Sequence, residues 1–367
     1  MSLRAWLTAG AILLAAPSAA QTPPVTPTPP DFPRGRISGL VFGDYYYNLA
    51  GDPDHGYTST GSDTGKAYID NSTAKLIGKD LNGFQIRRVY FQLDNDLSIK
   101  YSTRFRLEAD SKSLTSDGKI GVALRNAYLQ VKSVYPRADL FFGLIATPIW
   151  ETPEDFWQYR AVEKPIADFR GLGSAQDLGA ELKGFADPDH HFGYSAMVGN
   201  GLGQKPEDNR YKKFMVALPV RVGDLRFEPY VDYENVAGGL DRATYRGFAG
   251  YEFRRVAVAT EVVDRVNHRP AGNQEPLGVS VFARGNASPT VAGFARVDLW
   301  RPDRRAANRV DSQLWIAGLD WQPFRDLHFM PNLEVTQFDA KGTAVAPPHH
   351  ELQARVTVYY RFLRPQS

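Results

Sequence analysis

The chain has 367 residues, 43 Lys and Arg against 41 Asp and Glu for a net charge of +2, 12% aromatic residues, 25 prolines and no cysteine. Without thiols there is no disulfide framework, no cysteine-ligated metal and no cysteine nucleophile. Near-neutral charge argues against a nucleic-acid partner, whose binding leaves a strongly basic footprint, and no apolar run beyond the N-terminus nears the about 18 residues of a spanning helix.

Residues 1–20 have the three parts of an export signal. Arg4 supplies the positive start, the apolar run from Trp6 to Ala16 the middle, and Ser18-Ala19-Ala20 a small-residue cleavage site, so cleavage is expected after Ala20. Residues 21–35 follow, with six prolines between Pro23 and Pro33. Proline fixes φ and removes backbone donors, so this stretch is expected to be an extended tether outside any core.

From residue 36 to 362 the hydrophobic pattern has period two. In 97–110 one parity reads Leu97, Ile99, Tyr101, Thr103, Phe105, Leu107, Ala109, and the other is polar from Ser98 to Asp110. Segments 225–234 and 351–362 alternate in the same way. Each is long enough to cross a bilayer as a tilted strand of about 9–11 residues, with one apolar and one charged face.

Connections separate a membrane barrel from a soluble sandwich. Short turns are expected at 94–95, 133–138, 187–190, 223–224, 254–255, 286–289 and 322–326. Longer connections fall between them at 49–80, 111–120, 148–176, 200–210, 267–277, 301–311 and 340–349. Short periplasmic turns alternating with longer outer loops mark outer-membrane barrels, and Tyr45 to Tyr47 and Tyr359, Tyr360 and Phe362 cluster at strand ends as interfacial girdles do. The expectation is an all-β chain, one transmembrane antiparallel barrel of about 16 strands over residues 36–362, with 363–367 as a C-terminal extension. The tether would then be periplasmic.

The longest structured connection, 148–176, carries its own signals. Thr152-Pro153-Glu154-Asp155 reads as a helix start, with Thr152 as cap, Pro153 in the first turn and acids against the helix dipole. The helix is expected to run to about Glu163, to stop before Pro165, and to place Phe156, Tyr159, Arg160 and Glu163 on one face. As the third outer loop, it is a candidate for folding into the lumen.

Several strands resemble the phosphate-selective porin O and P family of outer-membrane proteins. Gly83-Phe84-Gln85-Ile86-Arg87-Arg88 is similar to that family's Gly-Phe-x-Ile-Arg-Arg strand, and Leu124-Arg125-Asn126-Ala127-Tyr128-Leu129 to its Leu-Arg-(Asp/Asn)-Ala-Tyr strand. Asp177-Leu178-Gly179, Val198-Gly199-Asn200-Gly201 and Gly318-Leu319-Asp320-Trp321-Gln322-Pro323 match further positions. The resemblance implies a 16-stranded, usually trimeric pore with a constricting third loop and basic side chains that select anions. One position departs from it: Gly143-Leu144-Ile145-Ala146-Thr147-Pro148 stands where the family carries Gly-Gln-Phe-Lys-x-Pro.

Candidate pore-lining bases are Lys100, Arg104, Arg106, Arg226, Arg355 and Arg361 on the strands and Arg160, Lys164 and Arg170 on the third loop. The same strand parities carry the acids Glu108, Asp110, Glu228, Asp232, Glu234 and Glu351, and charges of both signs are what a water-filled interior needs. Asp52 to His55 and Asp187 to His191 contain an Asp-Pro-Asp-His repeat that offers metal ligands. Asp before Pro is equally a type I turn signal, and the turn is the preferred reading. No hydrolase elbow, zincin helix or phosphate loop occurs, and no cofactor is expected. The expected function is an outer-membrane porin, reached through the export signal, that lets small hydrophilic solutes, anions such as phosphate among them, cross the bilayer. An outer-membrane or secreted all-β enzyme acting on lipid or glycan is the alternative.

Overall fold

The computed structural model describes residues 31–53, 78–343 and 348–362. The export signal, most of the proline-rich tether, Asp54 and His55 of the first repeat, and 363–367 lie outside the described residues. The barrel belongs to the unit that begins at Pro33.

One antiparallel sheet closes on itself. Its strands are β1 (Arg34–Ala50), β2 (Asn82–Asp96), β3 (Tyr101–Leu114), β4 (Ile120–Tyr135), β5 (Ala138–Ala146) and β6 (Gln176–Phe185). There follow β7 (Gly193–Gly199), β8 (Lys213–Ala217), β9 (Val220–Val222), β10 (Leu225–Glu234), β11 (Arg242–Phe253) and β12 (Val256–Asn267). The last are β13 (Leu277–Ser288), β14 (Val291–Arg301), β15 (Arg309–Phe324), β16 (Leu327–Lys341) and β17 (Glu351–Phe362). β8 and β9 both pair with β10 and are two pieces of one strand, interrupted at Leu218-Pro219, where proline has no N–H to give to a ladder. The wall therefore has sixteen strands. β1 closes it by pairing with both β2 and β17, from Gly39 opposite Phe362 to Ala50 opposite Leu352. The start of β1 and the end of β17 thus lie at the end of the barrel where the short turns are.

The alternation read from the sequence sets the two faces. On β10, Leu225, Phe227, Val231 and Tyr233 are exposed on the lipid side, while Glu228, Tyr230, Asp232 and Glu234 are buried within. Outward-facing rings gather near both ends, Tyr45, Phe84, Tyr233 and Tyr245 at one and Tyr251, Phe253, Phe324 and Tyr360 at the other. Tyr46 and Tyr359, counted with the girdles from sequence, point the other way: Tyr46 is buried and Tyr359 lines the interior.

Two connections differ from expectation. The first short turn is 97–100 rather than 94–95, since Asp94 to Asp96 pair with Arg104 to Ser102. An eighth long connection at 235–241, turned by Gly238 and Gly239 at positive φ, was absent from the sequence reading and is required for sixteen strands. The second Asp-Pro-Asp-His segment is a turn: Asp187 accepts the His191 and Phe192 N–H groups at 3.0 and 2.7 Å.

Among the register shifts of the wall, two add an arginine to the inner face. Opposite Phe42 and Gly43 the β2 register skips Arg87, and opposite Arg106 and Leu107 the β4 register skips Arg125. Each extra residue is a β-bulge, which lets two successive side chains face the same way. Arg87 and Arg88, and likewise Arg125 and Asn126, all turn inward and are mostly buried.

Candidate functional site

Residues 147–175 leave β5 and return to β6, and their ends are tied together. Thr147 N–H donates to the Ala175 carbonyl at 3.2 Å, and Trp150 Nε1 donates to the same carbonyl at 2.8 Å. Between them lie α1 (Glu151–Trp157) and α2 (Ile166–Phe169). This corrects the single helix expected to Glu163. Trp150 occupies the cap position, Thr152 Oγ1 instead donates to Glu228 at 2.5 Å, and Gln158 at φ 64° ends the helix. Pro165 starts α2 rather than stopping α1, as its fixed φ suits a helix start.

The segment seats on inward-facing rings of the far wall. Phe156 meets Phe248 edge-on at 5.5 Å, Trp157 meets Phe282 at 5.0 Å and Phe294 at 6.0 Å, and Tyr159 stacks on Phe294 at 4.2 Å. Trp157 is fully buried, with its Nε1 satisfied by the Glu163 carbonyl at 2.9 Å. Glycines make the room. A Cβ on Gly250 would stand 2.8 Å from Phe156, and one on Gly278 2.9 Å from Ile166.

Four wall arginines grip the segment by its backbone. Arg87 Nη1 donates to the Val162 carbonyl at 2.5 Å and the Ala161 carbonyl at 3.2 Å, and Arg284 Nε to the Phe156 carbonyl at 3.0 Å. Arg296 donates to the Lys164 carbonyl and Arg265 to the Leu172 carbonyl. None of the four is among the candidate bases that the sequence pattern offers. Arg265, Arg284 and Arg296 stand on strands whose parity was not followed, and Arg87 is hidden by its bulge.

The segment's own charges are largely paired. Arg160 sits 2.7 Å from Glu154 and 3.0 Å from Asp168, over the Trp150 ring, and Lys164 is 3.5 Å from Asp168. Burial pushes Glu154 up to about 7 against the pull of Arg160. For Asp168, burial is outweighed by Lys164 and Arg160, which hold its carboxyl below the usual range. Arg170 is tucked against Phe169 and Trp300 and donates to Ser312 Oγ at 3.3 Å.

The candidate bases on the strands fall into different surroundings. Lys100 lies exposed in the turn at 97–100, which corrects its placement on a lumen face. Arg104 pairs with Asp94 at 2.6 Å, Arg226 lies 3.6 Å from Glu252, and Arg355 pairs with Glu334. Arg88 bridges Glu108 and Asp110 at 2.7 and 2.8 Å, and Arg125 reaches Glu108 at 2.9 Å. Arg106 differs: it donates to Gln92 Oε1 at 2.6 Å over the Tyr90 ring, and no acid within 4 Å pairs with it among the described residues. Arg361 likewise has a phenol rather than an acid, donating to Tyr359 at 2.6 Å. Arg106, Arg125, Arg160 and Arg361 line one cavity of about 770 Å³ between the segment and the inner faces of β1 to β4 and β15 to β17.

No protein-family model matches the chain, and no curated protein does. Solved structures do. OmpT of Vibrio cholerae is similar over 91% of this chain and 100% of its own, at 11% identity and a TM-score of 0.59. An anion-selective porin from Comamonas acidovorans aligns over 90% and 100% at 12% identity and 0.63, and the outer-membrane channel DcaP of Acinetobacter baumannii over 90% and 97% at 12% identity and 0.65. At such identities the likeness is one of fold, a porin-type barrel of the outer-membrane kind. A likeness of fold at these identities assigns no family within that barrel type.

Proposed function

We propose that the chain is an outer-membrane porin through which small hydrophilic solutes diffuse passively, with a preference for anions. The observation that carries this reading is the cavity beside the inward-folded segment, where Arg106 and Arg361 face open space without acid partners among the described residues, while Arg104, Arg125, Arg160, Arg246, Arg296 and Arg355 are each matched by a carboxylate. In a water-filled passage, unmatched guanidinium groups attract anions and repel cations. No phosphate trap is included in the proposal: Ala146 and Leu144 occupy the positions where a base and an amide would be expected. A homotrimer is the assembly that the strand motifs imply, and light scattering in detergent should give three protomers rather than one.

Purified protein in a planar bilayer should open large, stable steps in potassium chloride. Changing Arg104 and Arg106 to Glu should shift the reversal potential toward cations several-fold in permeability ratio without loss of folded protein. An unshifted potential in folded, conducting protein would return both residues to wall structure. A silent bilayer would overturn the pore itself and favour the enzyme.

A further inference from the structure

A diffusion pore is polar inside, yet part of this inner wall is not. Leu40, Phe42, Met330 and Tyr359 form an inward strip on β1, β16 and β17, with the Phe42 and Tyr359 rings 6.3 Å apart. Much of the apolar inner surface lies under Phe156 and Trp157 of the folded segment. This strip faces the cavity, and Leu40 and Tyr359 are only partly buried against the main cluster.

Strand register places a base at each edge of the strip. Leu40 stands opposite Arg361 on β17 and opposite Tyr90 on β2, and one pair further along Gln92 stands opposite Arg106 on β3. A guanidinium recognises a carboxylate through two parallel N–H donors, and an aromatic face or aliphatic strip receives a ring. The acids of the cavity limit the charge. Glu154 is engaged by Arg160, and Asp320 by His328 at 2.9 Å, but Asp155 is exposed and has no ion pair among the described residues. A second negative charge on the solute would meet it.

We propose that this cavity is a transit site for small aromatic monocarboxylates, of which benzoate is the simplest. The proposal rests on the pore reading above and names its solute class. The carboxylate engages Arg106 or Arg361 and the ring lies on the strip between them.

Calorimetry on the folded protein in detergent micelles tests the site apart from conduction. Benzoate should bind about tenfold more tightly than acetate, which lacks the ring, and than benzyl alcohol, which lacks the charge. Arg106→Gln should weaken benzoate about tenfold. Leu40→Gln should weaken benzoate and leave acetate as it was. If benzoate binds no better than acetate, or if both folded variants bind it as the parent does, the site is overturned. Bilayer recordings then separate the two readings: conducting protein that does not discriminate benzoate from acetate overturns the site alone, and silent protein that binds benzoate overturns the pore alone.

Discussion

Deleting residues 152–164 should raise single-channel conductance roughly twofold or more and admit larger sugars in a liposome-swelling assay. A barrel of sixteen strands is wide enough to leave an aqueous channel, so a size limit needs something within it. The deleted stretch carries Phe156, Trp157 and Tyr159, whose rings occupy the space in front of Phe248, Phe282 and Phe294. It also removes the acids Glu154, Asp155 and Glu163 along with the bases Arg160 and Lys164, a net loss of one negative charge, and takes the carbonyl partners from Arg87, Arg284 and Arg296. The widened channel should therefore also favour anions more strongly than the parent. Unchanged conductance and unchanged size limit in folded protein would assign the constriction to side chains of the wall.

Val356→Arg should cost about 2–4 kcal/mol of barrel stability. Val356 is the sixth of the twelve residues of β17, points to lipid at 44% exposure, and lies between Tyr45 of β1 and Pro331 of β16. A guanidinium there has hydrocarbon around it, and from the middle of the strand even arginine's long stem reaches the headgroups only at a cost. Ser38→Arg is the matched control, because Ser38 faces the cavity, where a long side chain extends into water. Thr357, the neighbour of Val356, is a poorer control: it is fully buried and its hydroxyl accepts from Asn332 at 3.1 Å. Urea titration of the folded barrel in vesicles should show a large loss for the first variant and little for the second. Equal losses would contradict the assignment of faces.

The strand pattern was readable because lipid and water impose opposite demands on successive side chains. That is why 225–234 and 351–362 could be sided from sequence alone. The reading broke where one residue is added. Arg87 and Arg88 are adjacent, so parity assigns them to opposite faces, and only the partner strand reveals the bulge that turns both inward. Lys100 was lost through a turn displaced by a few residues, because Asp94 and Asn95 carry turn chemistry but are held in the ladder by Arg104 and Thr103. In the third connection the aromatic anchors Phe156, Trp157 and Tyr159 were visible, and their partners were not, since those rings come from strands about a hundred residues away. β2 and β4, which carry the family-like motifs, each add an arginine by a bulge, and a motif written along one strand does not show it.

The arginines that hold the inward segment take hold of carbonyl oxygens, and every residue type supplies one. Arg87, Arg265, Arg284 and Arg296 would find the same acceptors whatever side chains stood at positions 156, 161, 162, 164 and 172. Position and chemistry of the obstruction are thereby uncoupled. Asp155 and Gln158, which face the passage and make no grip of their own on the wall, can be exchanged by selection or by design to favour a different cargo while the scaffold beneath them stays in register. A channel built this way can drift from one nutrient to another by single substitutions, without passing through a form that is open to everything.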